Sequence, residues 1–436
     1  MSRKELLYSE ATAFLFSKLP SYQRIGAIAY KPSLATARAF DEYFGFPHRQ
    51  YKSIHIAGTN GKGSVSHILA SVLQSAGYKV GLFTSPHLKD FRERIKINGV
   101  MIPKEEVTDF VLNNKPKIEE LEPSFFEMTA TMAFSYFAKE AVDVAVIETG
   151  MGGRLDATNV IRPVMSVITN IGMDHAEHLG HSLAEIAAEK AGIIKAEIPV
   201  VIGERQEDSA PVFEERAGAL NAPLLYAEDY ANVESVQLYD NGQSFSIAVP
   251  NSIFPVIVQL DLQGSYQRKN IITVMAALHT LKNGRKPSFK IEEKAIRHGI
   301  SQVVKQTGLR GRWEVISKQP LVICDAGHNA HGLKESMAQL KAIPCRRLHF
   351  VLGVVKDRDL DSIIPLLPAD AYYYYTQADL PRAMDSHDLA KRCHEYGLRG
   401  QIIQTVANAV KIAKSNAYPD DLIFVGGSAY VVAEAL

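Results

Sequence analysis

The 436-residue chain is too long for one ordinary domain and suits two or three. Hydrophobic residues at 46% and charged residues at 22% match a soluble globular protein with a filled core, and Lys plus Arg balance Asp plus Glu at 48 each. That neutrality argues against a nucleic-acid binder, and three cysteines (Cys324, Cys345, Cys393) without metal-ligand spacing give no disulfide framework and suit a reducing cytosol.

The chain opens Met1-Ser2-Arg3-Lys4-Glu5, without the basic-then-apolar signature of a secretory leader. No apolar run reaches the roughly 18–20 residues that cross a bilayer. Short β-branched runs then alternate with amphipathic segments. Strands are predicted at Ser53–Ala57, Val80–Thr84, Val142–Ile147, Val164–Thr169 and Pro199–Ile202. Helices are predicted at Val65–Ala76, Phe126–Ala138 and Ser182–Ala191. This alternation implies right-handed βαβ units and a mainly parallel sheet. From Leu224 to Leu262 apolar and polar residues alternate as in antiparallel strands, and Ser265–Lys282 reads as a helix. After Gly311 strands are predicted again at Leu321–Cys324, Leu348–Leu352, Ala371–Tyr375, Ile402–Thr405 and Leu422–Val425. The four tyrosines Tyr372–Tyr375 read as a strand rather than a stacking platform. The expected fold is α/β: a P-loop domain with a mainly parallel sheet over 1–300, then a smaller Rossmann-like α/β domain over 301–436.

Gly58-Thr59-Asn60-Gly61-Lys62-Gly63-Ser64 lies between a predicted strand and a predicted helix. Converging backbone N–H groups and the helix N-terminus make such a turn an anion site. Lys62 is placed to reach the terminal phosphates of a nucleotide, and Ser64 or Thr59 to support a metal ion. Glu148 ends an apolar run ahead of Thr149-Gly150-Met151-Gly152-Gly153-Arg154, so it faces the same crevice at the carboxyl ends of the strands. A carboxylate there suits magnesium, which prefers hard oxygen donors. His175 lies beyond the next strand and is a second candidate ligand. Lys190, near the end of a helical segment, reads from residue chemistry alone as a cation stabilising the C-terminal dipole. In the C-terminal part, Asp325 and His328 follow another apolar strand, Arg312 offers a cation for phosphate charge, and Gly426-Gly427-Ser428 forms a further small-ligand turn. For each of these a structural role is an equal alternative.

Taken together, these segments resemble the folylpolyglutamate synthase/dihydrofolate synthase family within the Mur ligase superfamily. The resemblance is carried by Gly58–Ser64, Thr84–Leu88, Arg94–Gly99, Phe126-Glu127, Glu148–Asn159, Met173–His175, Glu189–Ile193, Tyr266-Gln267 with Asn270, Gly311-Arg312 and Asp325–Asn329. It implies a P-loop domain and a smaller α/β domain with the active site in the cleft between them. It implies ATP held by the loop and Lys62, with Asn270, Arg312 and Asp325 as further ATP contacts. Ser85, Glu148 and His175 match magnesium ligands, and Lys190 matches a lysine carbamylated in this family, which replaces the helix-end reading. A carbamate there offers oxygens to a second magnesium. Phe126, Asp156 and Ala157 align with the pterin pocket, while His328 and Ser428 fall near the incoming glutamate. Two departures stand out: Asp325-Ala-Gly-His-Asn-Ala330 in place of Asp-Gly-Ala-His-Asn-Pro, and Ser124-Phe-Phe-Glu127 in place of Thr-Tyr-Phe-Glu.

The implied activity is ATP-dependent ligation of glutamate to dihydropteroate, to folylpolyglutamate, or to both, through an acyl phosphate. A cytoplasmic monomer acting on small molecules, with no nucleic-acid or membrane partner, is expected. Cell-wall Mur ligases carry a nucleotide-sugar domain ahead of the loop, and the 57 residues before Gly58 are too few for it. A P-loop regulatory switch leaves Glu148, His175, Lys190 and the second α/β part without a role. Residues Ile25–Ala27 are expected to matter for binding the pterin in more than one mode.

Overall fold

The computed structural model describes residues 2–19, 33–250, 253, 255–284 and 289–436, so the Ile25–Ala27 expectation lies outside the described residues. The chain divides into two compact units, Met1–Asp261 with Gln267–Gly308, and Leu262–Tyr266 with Leu309–Leu436. The first unit thus extends past the expected 300/301 division to include the short helix Val303–Thr307. The five residues 262–266 belong with the second unit, which no local pattern in the sequence signals.

In the first unit the strands are β1 (Lys52–Ala57), β2 (Val80–Phe83), β3 (Ile95–Ile97), β4 (Val100–Met101), β5 (Val144–Glu148), β6 (Met165–Ile168), β7 (Val200–Ile202) and β8 (Leu224–Tyr226). They form one sheet in the order β4-β3-β2-β5-β1-β6-β7-β8. Strands β2, β5, β1, β6, β7 and β8 run parallel, as the alternation predicts. Their near-continuous apolar runs are buried on both faces. On one side Phe134, Phe137 and Met128 pack over Phe83 and Ile147; on the other, Ile186 and Phe213 pack near Ile168 and Ile202. Leu224–Tyr226 differs from expectation, because it adds a parallel edge strand rather than opening the antiparallel region. The antiparallel sheet is β9 (Asn232–Tyr239), β10 (Gly242–Ala248) and β11 (Val256–Leu260). The β3–β4 hairpin was not predicted from periodicity, since its strands are only three and two residues long. Its turn is Asn98-Gly99, both with positive φ (47° and 77°), the Asn-Gly chemistry that tight hairpins favour.

In the second unit the strands are β12 (Glu314–Lys318), β13 (Leu321–Cys324), β14 (Leu348–Leu352), β15 (Tyr372–Gln377), β16 (Arg399–Thr405) and β17 (Leu422–Gly426), ordered β12-β13-β17-β14-β15-β16. All pairs are parallel except β12 with β13. The tyrosine run is a central strand, with Tyr373, Tyr374 and Tyr375 fully buried. Tyr373 and Tyr375 share a face and stack at 5.6 Å, while Tyr374 meets His349 Nδ1 at 2.9 Å. Among the described residues no helix is long and apolar enough to cross a membrane.

Candidate nucleotide and substrate site

Strand β1 ends at Ala57 and a helix begins at Lys62, so Gly58–Gly61 must reverse the chain in four residues. Gly58 has φ 144° and Gly61 φ 86°. A Cβ on Gly58 would lie 1.9 Å from Thr169 Oγ1, and one on Gly61 2.3 Å from Asn270 Oδ1. Glycine is therefore required twice over, by conformation and by space. The end of β6 braces the loop. Thr59 N–H donates to Asn170 O (2.9 Å), Asn60 N–H to Asn170 Oδ1 (2.9 Å), and Thr169 Oγ1 to Asn60 O (2.6 Å). From the helix Gln267–Asn283, Gln267 Nε2 donates to Ser64 Oγ (3.2 Å) and Asn270 Nδ2 to Gln267 Oε1 (2.8 Å). Thr169, Asn170 and Gln267 were missed as loop partners in the sequence; the only signals were a polar pair after a predicted strand and the i, i+3 spacing of Gln267 and Asn270. The two hydroxyls read as metal supports have protein partners. Thr59 Oγ1 exchanges bonds with Gly172 O and N (3.1 and 3.0 Å), and Ser64 is 1% exposed.

Lys62 Nζ folds back on the loop, donating to Gly58 O (2.9 Å) and Thr59 O (3.2 Å). Lys190 sits in the last turn of the helix Leu183–Ala191, as expected, but its side chain does not serve that helix. It is 3% exposed and donates from Nζ to Gly58 O at 3.0 Å. Burial, then repulsion from Lys62, lowers the Lys190 pKa from 10.5 to about 7, with Asp174, Asp156 and Glu189 opposing. The glycine-rich turn after Glu148 packs on the same helix end. A Cβ on Gly153 would lie 2.8 Å from Glu189 O, and Arg154 N–H donates to Glu189 O at 2.7 Å.

Glu148 ends β5 beside Ile56 of β1, two residues before Gly58, and is 2% exposed. β2 flanks β5 on its other side, with Phe83 paired to Ile147 two residues before Ser85. β6 flanks β1, and His175 follows it in a left-handed conformation (φ 54°). The chain reversal between β5 and β1 is a topological switch point, where open parallel sheets bind ligands. Among the described residues no three of His, Cys, Asp and Glu form a metal cluster. Of the candidates near these strand ends, the buried Glu148 carboxylate and the Ser85 hydroxyl offer the oxygen donors that a hard cation prefers, while the His175 imidazole offers nitrogen.

The remaining candidates divide between the units. Phe126 lies over Gly150, whose added Cβ would fall 2.6 Å from the ring. Asp156 is 5% exposed and all of its acceptor capacity is used: Oδ2 by Gly150 N–H (2.8 Å) and Met151 N–H (2.9 Å), Oδ1 by Thr158 N–H (3.0 Å) and Oγ1 (2.5 Å). It shapes the turn beneath Phe126, and Ala157 begins the short helix that it caps. Ser124 caps the helix Phe125–Lys139 in a reciprocal box with Glu127, a role that threonine fills equally, so this departure from the family pattern is local. In the second unit Asp325 follows β13 and Arg312 Nη1 donates to Gly311 O (3.3 Å). His328 Nδ1 lies 3.0 Å from Ala326 O, and Ser428 Oγ accepts from Val431 N–H (3.2 Å) as a helix cap. Ser428 thus takes the structural role that stood as the equal alternative for it.

A glycine-rich loop between a strand and a helix of a largely parallel sheet, followed by a second, mainly parallel α/β unit, is the arrangement of a Mur-type ligase. The model of the Mur ligase middle domain matches residues 56–278, and that of the Mur ligase, glutamate ligase domain, matches 311–429. The chain is 31% identical to the dihydrofolate synthase/folylpolyglutamate synthase of Bacillus subtilis, over 98% of both chains. It is 35% identical to a probable bifunctional folylpolyglutamate synthase/dihydropteroate synthase of Haloferax volcanii, covering 98% of this chain and 50% of that relative, so it spans about half of that protein's length. Its fold matches Escherichia coli FolC in complex with DHPP and ADP, with TM-score 0.83, 27% identity, and 98% and 96% of the two chains covered. The chain belongs to the folylpolyglutamate synthase/dihydrofolate synthase family.

Proposed function

We propose that this protein joins L-glutamate to the carboxylate of dihydropteroate and of reduced folates that already bear glutamate, at the expense of ATP. The substrate carboxylate oxygen attacks the γ-phosphorus and ADP leaves, giving an acyl phosphate. The glutamate amine then attacks the carbonyl, loses a proton and expels phosphate. Negative charge builds on phosphoryl oxygens in both steps, so fixed positive charge and positioning carry most of the acceleration. The loop N–H groups and Lys62 hold the phosphates from the first unit; Asn270, Arg312 and Asp325 are the proposed further nucleotide contacts. Ser85, Glu148 and His175 would hold magnesium, which when bound supplies countercharge to those oxygens. Phe126 with the turn held by Asp156 and Ala157 is the proposed pterin surface, and His328 and Ser428 flank the proposed glutamate position.

The observation that carries this reading is Lys190. Lys190 is buried, donates to the carbonyl of the phosphate loop, and has its pKa lowered by burial to about 7, so its neutral amine is accessible. Its neutral form is the nucleophile that carbon dioxide carbamylates, and the carbamate would turn a cation into an oxygen donor beside the phosphates. The test is product mass after incubation with ATP, glutamate and each acceptor separately. Glutamylated product from both acceptors is expected. Product from one alone makes the protein monofunctional, and nucleotide turnover that needs neither acceptor nor glutamate would mark a switch.

A further inference from the structure

The Asp325 carboxylate, 2% exposed in the second unit, receives four donors. Oδ2 accepts from Tyr266 Oη at 2.7 Å and Trp313 N–H at 2.9 Å; Oδ1 accepts from Gly327 N–H at 2.9 Å and Ser336 Oγ at 3.1 Å. A carboxylate has about four acceptor positions, so all are filled. Three of the four donors are fixed. Two are backbone N–H groups, and Ser336 is buried in the helix Ala330–Lys341. Tyr266 differs. It ends the five-residue segment 262–266 that reaches this unit from another part of the chain, and the residue as a whole is partly exposed although its phenol is buried. Gln339 pins the segment itself, taking Ser265 N–H on Oε1 (2.6 Å) and donating to Gln263 O (2.9 Å), so the backbone there does not depend on the Tyr266 hydroxyl.

We infer that the Tyr266 hydroxyl is a placeholder on Asp325, released when a ribose hydroxyl of the nucleotide takes its position. This rests on the reading of Asp325 as a nucleotide contact. A ligand hydroxyl that donates to a filled carboxylate must evict a donor, and Tyr266 is the one donor that leaves without disturbing β13 or its following helix. Burial and Asp325 hold the phenol well above its ordinary pKa, so it remains a donor throughout the working pH range. The next residue, Gln267, bonds Ser64 at the start of the phosphate-loop helix, so the placeholder is one peptide bond from a residue that braces the loop.

Tyr266→Phe keeps the ring and removes the competitor. In the free protein it leaves a buried acceptor unfilled, a penalty that the arriving ribose relieves. ADP titrated into the full chain should therefore bind about fivefold tighter or more in Tyr266→Phe than in the wild type. The gain should vanish with 2′,3′-dideoxy-ADP, and Asp325→Ala should weaken ADP binding. A phenol that merely supports the fold, or contacts the nucleotide itself, gives equal or weaker ADP binding in Tyr266→Phe; with Asp325→Ala still weakened, that result overturns the placeholder and leaves the nucleotide reading standing. Unchanged binding in Asp325→Ala overturns both. Should Tyr266→Phe fold poorly, Tyr266→Leu decides by the same comparison: ADP bound no tighter than by the wild type overturns the inference.

Discussion

Lys62 and Lys190 donate to the same atom, the Gly58 carbonyl oxygen, at 2.9 and 3.0 Å. Lys190 is the buried one of the two, and its burial first, then repulsion from the neighbouring Lys62 ammonium, lowers its pKa to about 7. The proposed phosphate loop thus lies against an amine whose neutral form is accessible.

Carbamylation of Lys190 should rise with pH through about 7, because only the free amine reacts. Below that value Lys190 is a buried cation and the modification is suppressed. Activity measured after preincubation with bicarbonate at pH 6, 7 and 8 should follow this order, and Lys190→Ala should be nearly inactive, with partial rescue by a small carboxylate. An unmodified lysine amine in the active enzyme, seen by intact mass under bicarbonate, would contradict it.

The same shift sets a stability trend for the unmodified protein. Lys190 titrates near 10.5 when unfolded and near 7 when folded, so between these values the unfolded state binds more protons and stability rises with pH. The buried-charge penalty is complete below about 7 and gone above about 10.5. Lys190→Met should remove this component, visible as a flatter slope of melting temperature against pH from 7 to 9.

Lys62→Ala should lower kcat by about a hundredfold or more, as loss of a phosphate-directed charge does, while melting temperature changes little, since Lys62 is half-buried and its bonds among the described residues go to the loop carbonyls. Near-normal turnover would remove the phosphate role.

Glycine substitutions separate conformation from space. Gly77 has φ 90° with nothing within 4 Å of an added Cβ, so Gly77→Ala should cost about 1 kcal/mol of strain and leave activity intact. Gly58→Ala adds a collision with Thr169 and should destabilise more and abolish nucleotide binding. Equal effects from the two would mean that the loop tolerates displacement.

Gly150→Ala should raise the KM for the pterin substrate with little change for ATP, because the new methyl meets the Phe126 ring rather than the phosphate loop. Acceptor-by-acceptor kinetics check this. An ATP-specific defect would move Phe126 out of the proposed pterin surface.

The parallel sheets, the phosphate loop and the strand-end positions of Glu148 and His175 were determined by the sequence alone, because periodicity and glycine placement are local properties. The family was legible for a related reason: its segments are short, distinctive and ordered along the chain. Lys190 shows where that reading stops. Its neighbours in sequence make it a helix-end cation, and only the fold, by seating the turn Gly152-Gly153 against Glu189 and Lys190, turns its amine toward Gly58, some 130 residues away. Asp156 and Ser428 present ligand-like side chains in the sequence and also accept from backbone N–H groups within six residues, local turn and cap contacts that residue type alone does not tell apart from ligand contacts. The assignment of residues 262–266 to the second unit, and with it the Tyr266–Asp325 bond, was equally invisible. Hydrogen-bond partners that lie far apart in sequence leave no periodic trace, and burial, which sets a pKa, is a property of the packed chain.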